Sequence, residues 1–170
     1  TLSVADSGAG LTRDEIVRYL ATIGAGYTRK LREQHATDDL IGLFGLGFLS
    51  AFVIATRVAV TTTSYQSPDL TLLYQSRTGE RFSVEPAPAR PVGTTVTLHL
   101  KDNFRELADP DVLRVRLQHY CALLPLPVFV DRDEVAVNAD PPPWRRDDDH
   151  PARARQARLA FARRFERRFD

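Results

Sequence analysis

The chain has no methionine, one cysteine (Cys121) and only two lysines, Lys30 and Lys101. A single cysteine excludes an internal disulfide and any cysteine-based zinc cluster. The missing methionine extends to position 1, and Thr1-Leu2-Ser3 is not the start of a signal peptide. Thr1 opens directly inside a strand-like run, so the chain is read as a segment whose true beginning lies upstream. Excess charge is lacking too. Lys and Arg total 23 against 22 Asp and Glu, a net charge of +1. Bulk electrostatics therefore make no case for nucleic acid or a membrane surface as the main partner. No apolar run is long enough to span a bilayer. What is present is 170 residues, 43% hydrophobic and 26% charged, the composition of one ordinary globular domain with room for the start of a second. Nothing conflicts with a reducing cytoplasm, which is the expected location.

Along the chain, Leu2–Ala5 reads as a short buried strand. Thr12-Arg13-Asp14-Glu15 has the form of a capping box, with a capping hydroxyl and a glutamate three residues later. Ile16, Val17 and Leu20 supply an apolar face, so a helix is expected over Arg13–Leu20. Ala21–Asp39 mixes glycine with polar residues and reads as a mobile connector. Ile41–Ala55 is punctuated by glycine and then continuously apolar, as a buried helix would be. From Arg57 the period changes to two. Strands are expected at Arg57–Ser64, Thr71–Ser76, Arg81–Glu85 and Thr94–Leu100, joined as a meander. Asp109–Leu123 reads as a helix with Pro110 in its first turn, and Leu126–Val130 as a last strand. Asp140-Pro141-Pro142-Pro143-Trp144 and the acids Asp147–Asp149 read as a linker. Arg153–Asp170 reads as an Arg-rich helix with Phe161, Phe165 and Phe169 in one stripe. The expected architecture is α+β, a two-layer sandwich with helices on one face of a mixed, mainly antiparallel sheet.

Three stretches carry candidate chemistry. In Asp6-Ser7-Gly8-Ala9-Gly10 a carboxylate stands beside bare backbone. It suits either a tight turn or a site where the acid accepts a hydrogen bond from an exocyclic amine. In Gly42-Leu43-Phe44-Gly45-Leu46-Gly47-Phe48 three glycines precede a helix. Their N–H groups suit either phosphate oxygens or a tight helix start. It is neither a Walker A loop nor a Rossmann fingerprint. Gly93-Thr94-Thr95 opens a strand, and a threonine hydroxyl there suits support of the carboxylate.

Together these stretches, within "DSGAGLTRDEIVRYLATIG", "LIGLFGLGFLSAFVIATRVAVTT" and "GTTVTLHL", resemble the nucleotide-binding domain of the heat shock protein 90 (HtpG-type) chaperone family. The resemblance runs from Thr1 to about Val130. "LATIG" is similar to divergent bacterial members. The Asp-x-Gly-x-Gly turn is shared with the wider gyrase, histidine-kinase and mismatch-repair ATPases. The resemblance implies a Bergerat-type ATP-binding fold, incomplete at its N-terminus, and a site for ATP with Mg²⁺. Asp6 matches the aspartate that accepts the adenine amino group, with Thr94 and a water beside it. Gly8 and Gly10 match the turn against the base. Leu11 stands where the family often has Met, and Tyr19, next to Leu20, where it often has Asn. Leu46 and Phe48 match pocket walls. Gly42, Gly45 and Gly47, with Phe44 among them, match the phosphate-binding run. Ala21–Asp39 matches the lid, although Gly24-Ala25-Gly26-Tyr27-Thr28 lacks the family's lysine and serine. The catalytic glutamate and magnesium-binding asparagine are expected upstream of Thr1, so no catalytic residue is assigned within the chain.

The resemblance further implies an ATPase that assists protein folding in its full-length parent, a homodimer, and client proteins as partners. It assigns residues 1–138 to a partial ATP-binding domain, 139–152 to a linker and 153–170 to the start of a middle-domain helix. Two other readings stay open: a DNA-acting ATPase of the same superfamily, and a non-hydrolysing interaction module. His35, His99, His119 and His150 lack metal-ligand spacing. Ser50 lacks the Gly-x-Ser-x-Gly nucleophile elbow.

Overall fold

The computed structural model describes residues 1–20, 47–77, 81–145 and 150–166. The expected connector Ala21–Asp39 lies outside them, as do Gly42, Phe44, Gly45 and Leu46. The chain divides into two compact units, Thr1–Arg105 and Glu106–Asp170.

The first unit is built on five strands: β1 (Leu2–Asp6), β2 (Ala55–Thr63), β3 (Thr71–Ser76), β4 (Phe82–Pro86) and β5 (Gly93–Leu100). They form one sheet in the order β1-β5-β2-β3-β4, every pair antiparallel. Period-two alternation assigns each strand's residues to two faces. Val58, Val60 and Thr62 of β2 lie in register with Ser76, Tyr74 and Leu72 of β3 and with Leu98, Val96 and Thr94 of β5. This is the apolar face. Val58, Val60 and Tyr74 are fully buried there. The other face carries Ser3, Ala59, Thr61, Thr97 and Gln75, small or polar residues.

Helix α1 (Arg13–Tyr19) covers the apolar face. Its capping box is formed: Glu15 Oε2 accepts from the Thr12 amide (2.8 Å) and hydroxyl (2.9 Å), and Thr12 Oγ1 accepts from the Glu15 amide (3.4 Å). Ile16, fully buried, anchors it in the core, worth about 1.5–3 kcal/mol by transfer. A 3₁₀ turn at Phe48–Ser50 and the short helix α2 (Ala51–Ile54) complete the cover. Phe48 stands edge-on to both Phe52 and Tyr74, each with centroids 5.9 Å away. The result is the expected α+β two-layer sandwich.

Two expectations in this unit change. β1 is not buried: four of its five residues are exposed, Val4 by 62%, and only Leu2 of the strand is packed against the core. The apolar run ending at Ala55 is not one long buried helix in its described part. It is a 3₁₀ turn and one helical turn, and Ala55 already belongs to β2. Lys101 ends the helix. Its ammonium donates to the carbonyls of Phe52 (3.0 Å) and Val53 (2.7 Å), and its amide to that of Ile54 (2.9 Å).

The second unit contains α3 (Pro110–Tyr120) and α4 (Pro151–Glu166). Asp109 caps α3 by accepting from the Asp111 and Val112 amides, with Pro110 in the first turn. Leu126–Val130, expected as a strand, forms none. Pro125 and Pro127 have no N–H to pair. Asn138 serves instead of a partner strand, accepting from the Val128 amide (2.9 Å) and donating to the Leu126 carbonyl (2.8 Å). Cys121 is half-buried at the end of α3, and burial pushes its thiol pKa up. Within the Pro-rich stretch, Pro142 and Pro143 are buried, and Trp144 stands edge-on to Phe161 at 5.2 Å. Among the described residues no helix is long and apolar enough to cross a membrane.

Arg114 clamps Asp133 in two-pronged fashion, Nε to Oδ2 at 2.6 Å and an Nη to Oδ1 at 2.9 Å. The Arg114 hydrogen bond holds the Asp133 carboxyl below its ordinary value. A depressed carboxylate pKa adds stability above the unfolded value, and that stability is lost as pH falls through the folded value. Asp133→Asn is therefore expected to lower the melting temperature at neutral pH. The gap from the parent should narrow as pH drops below the ordinary carboxylate range. Thermal melts across a pH series check this, and a gap that stays constant would refute the ion-pair account.

Candidate functional site

The register brings one end of β1, β5 and β2 together. Asp6 pairs with Thr94, and Thr94 with Thr62, so the three side chains share one cross-strand row on the helix-covered face. Asp6 Oδ1 accepts from the Gly8 amide at 2.9 Å and the Thr94 amide at 3.2 Å. Among the described residues no donor is bonded to Oδ2, and Asp6 is exposed. It is the Thr94 amide that supports the carboxylate. The Thr94 hydroxyl lies 3.1 Å from that of Thr62.

Thr62 is 1% exposed. Its Oγ1 accepts from the Leu11 amide at 2.8 Å and donates to the Gly93 carbonyl at 3.2 Å. One buried hydroxyl thus joins the Asp6–Gly10 turn to β5. Two glycines make the close approach possible. Gly10 has φ +65° and Gly93 φ +140°. A Cβ at Gly10 would collide with the Thr63 carbonyl oxygen, and one at Gly93 with the Asp6 carbonyl oxygen. The Tyr65 amide donates to the Ala9 carbonyl (2.9 Å), closing the turn onto the end of β2. A cavity of about 250 Å³ opens at this end of the sheet, lined by Asp6, Ser7, Thr62, Arg90, Gly93 and Thr94 among others.

The structure therefore brings Asp6, Gly8, Leu11 and Thr94, through Thr62, into one bonded set, with Gly10 in the turn between them. Leu11, Leu20 and Phe48 pack against the apolar core beside it. Tyr19 ends α1 half-buried, with the Arg18 guanidinium 5.8 Å from its ring centre. Gly47 precedes the 3₁₀ turn, and a Cβ there would meet no described residue within 4 Å. Gly42, Phe44, Gly45 and Leu46 fall outside the described residues. Sequence reasoning missed Thr62, reading Thr61-Thr62-Thr63 only as strand. Its signal was a hydroxyl at an inward position of a strand whose other inward residues are Val58 and Val60.

Chemically, the set offers a fixed carboxylate acceptor, bare backbone and a hydroxyl pair. Among the described residues no group of three or more His, Cys, Asp and Glu is placed to hold a metal ion. The Asp6 carboxylate, held through one oxygen, can accept a hydrogen bond from a donor group through the other.

Relatives share this sequence across most of the chain. A chaperone protein HtpG from Desulfitobacterium hafniense is 31% identical over 141 residues, 79% of this chain and 23% of that protein. Heat shock protein 90-6, mitochondrial, from Arabidopsis thaliana is 32% identical over 163 residues, 86% of this chain and 20% of that protein. A chaperone protein HtpG from Shewanella pealeana is 37% identical over 134 residues, 75% and 21%. The chain belongs to the heat shock protein 90 family. No family model matches it. It spans about a fifth of the length of these relatives.

In this heat shock protein 90 family member, Thr62 is the node of the turn. Thr62→Val keeps the shape and removes the hydroxyl, leaving the Leu11 amide without its partner. The expected cost is about 1–3 kcal/mol of stability, the range for an orphaned buried donor. Thr62→Ser, which keeps the hydroxyl, should lose less. Denaturant unfolding of the two variants measures the difference.

Proposed function

We propose that this chain is the nucleotide-binding part of an ATP-dependent molecular chaperone. The observation that carries the reading is Asp6. One carboxylate oxygen is held by the Gly8 and Thr94 amides, while the other is exposed beside bare backbone. A carboxylate fixed this way accepts from an exocyclic amine without first reorganising. These residues fit the base end of an adenine nucleotide. Leu11, Leu20 and Phe48 supply an apolar wall next to it.

The phosphate end is assigned to Gly42, Gly45 and Gly47, with Phe44 and Leu46 in the same run. When bound, ATP with Mg²⁺ supplies a phosphoanhydride bond whose hydrolysis can drive a conformational cycle. The residues of this chain bind and orient: Asp6 selects the base and Thr62 and Thr94 hold its register. The reading leaves catalysis and magnesium ligation to positions before Thr1. For the whole protein it adds lid closure by Ala21–Asp39 and a homodimer that clamps client proteins. It assigns residues 1–138 to the ATP-binding domain, 139–152 to a linker and 153–170 to the start of a middle-domain helix.

Asp6→Asn tests the reading. Asparagine keeps an oxygen for the Gly8 and Thr94 amides but loses the charge facing the amine. A hydrogen bond to a charged group is worth about 1.5–3 kcal/mol, so ATP affinity should fall about tenfold to a hundredfold. Calorimetric titration measures it, with the melting temperature as a check on folding. Unchanged affinity in a folded variant removes Asp6 from the site.

A further inference from the structure

The opposite end of the sheet, on its other face, gathers positive charge. Arg57 of β2 pairs with His99 of β5. One residue past the Val58–Ser76 and Ser76–Phe82 pairs, the same register sets Arg77 beside Arg57 and Arg81 beside Arg77. Two adjoining cavities confirm the grouping. One, about 420 Å³, is lined by Arg57, Gln75, Arg77 and Arg81 among others. The second, about 300 Å³, is lined by Thr56, Arg57, Arg77 and His99. No described acid lines either one; Glu80, the acid nearest in sequence, is outside the described residues.

Like charges side by side across strands destabilise a sheet, so this row requires explanation. Three other arginines are paired with acids. Arg105 meets Asp102 at 2.8 Å, Arg116 meets Glu106 at 2.9 Å, and Arg114 meets both Asp111 and Asp133. Arg57 instead donates to an imidazole, His99 Nε2, at 2.6 Å. Burial first, then the Arg57 charge and the amino terminus, hold the His99 pKa below its ordinary value. Gln75 and Ser83 add neutral donors at the rim. Several guanidinium forks and neutral donors around connected cavities suit phosphate, which arginine binds in bidentate fashion. The combined space exceeds what one phosphate needs.

We propose that Arg57, Arg77 and Arg81, with His99, form a binding site for a multivalent phosphate anion on the outward face of the sheet. The site is distinct from the Asp6 end. Arg57 and Thr62 are five positions apart on β2, about 17 Å of extended chain, and the two positions face opposite ways.

The test titrates sodium tripolyphosphate into the protein while following the His99 ring signals by NMR, with sodium chloride at matched ionic strength as the control. The expected result is a saturable His99 shift that sodium chloride does not reproduce. Arg77→Gln/Arg81→Gln, both exposed positions, should weaken binding at least tenfold. Without anion that variant should melt no lower than the parent, because it removes facing like charges. It should also lose the melting-temperature gain that tripolyphosphate gives the parent. A His99 shift with ATP that depends on the same arginines assigns the site to nucleotide phosphates. A shift with tripolyphosphate alone assigns it to inorganic phosphate chains. An effect matched by sodium chloride, or full affinity in the double variant, overturns the proposal.

Discussion

A single buried hydroxyl holds the Asp6 end of the sheet together. Thr62 Oγ1 accepts from Leu11, donates to Gly93 and lies against the Thr94 hydroxyl. Through these bonds the turn after β1 is fixed to the strand that faces Asp6. The Asp6 carboxylate then gains its two amide donors without searching for them, since Gly8 and Thr94 are already in place. Desolvating the Thr62 hydroxyl without partners would cost a few kcal/mol; fully bonded, it becomes a clamp. The positive φ values at Gly10 and Gly93 serve the same closure, because side chains there would push the turn away from β2 and β5.

The core supports this arrangement from the other side. Tyr74, buried at the middle of the sheet, stacks on Phe82 with centroids 5.7 Å apart and meets Phe48 edge-on. Phe48 begins the turn that leads into α2, and α2 ends where Lys101 takes its last carbonyls. Packing and helix termination therefore locate the segment that follows the glycine run. That position depends on β5, the strand that also carries Thr94.

Much of this was readable beforehand where local rules and the final structure agree. The meander followed from period-two alternation, and Thr71–Ser76 matches residue for residue. The capping box at Thr12 and Glu15 formed as written, and so did the proline-started helix after Asp109. The failures have tertiary causes. Leu2–Ala5 looks buried because it is mostly apolar, but of these residues only Leu2 is packed against the core. Leu126–Val130 has strand-forming residues, yet Pro125 and Pro127 deny it a ladder and Asn138 satisfies its backbone. Phe48–Ala55 is apolar but for Ser50, which cannot reveal where a helix stops and a buried strand begins. At the site, Asp6, Gly8 and Gly10 were legible as a turn beside an acid. Thr62 was not, because its role lies in partners more than thirty residues away in either direction.

Strand parity links the two ends of the sheet. Thr62 and Arg57 lie on one uninterrupted strand, an odd number of residues apart, so they must face opposite ways. That parity places the hydroxyl among the helices and the guanidinium outside them. A slip of one residue in β2 would bury Arg57 against the core and expose Val58 and Val60, at a cost no nearby acid could offset. The same apolar residues that hold the Asp6 turn therefore also hold Arg57, Arg77 and Arg81 on the outward face. The row can keep its mutual repulsion because the core fixes the register independently of it, and an arriving anion meets cations already oriented.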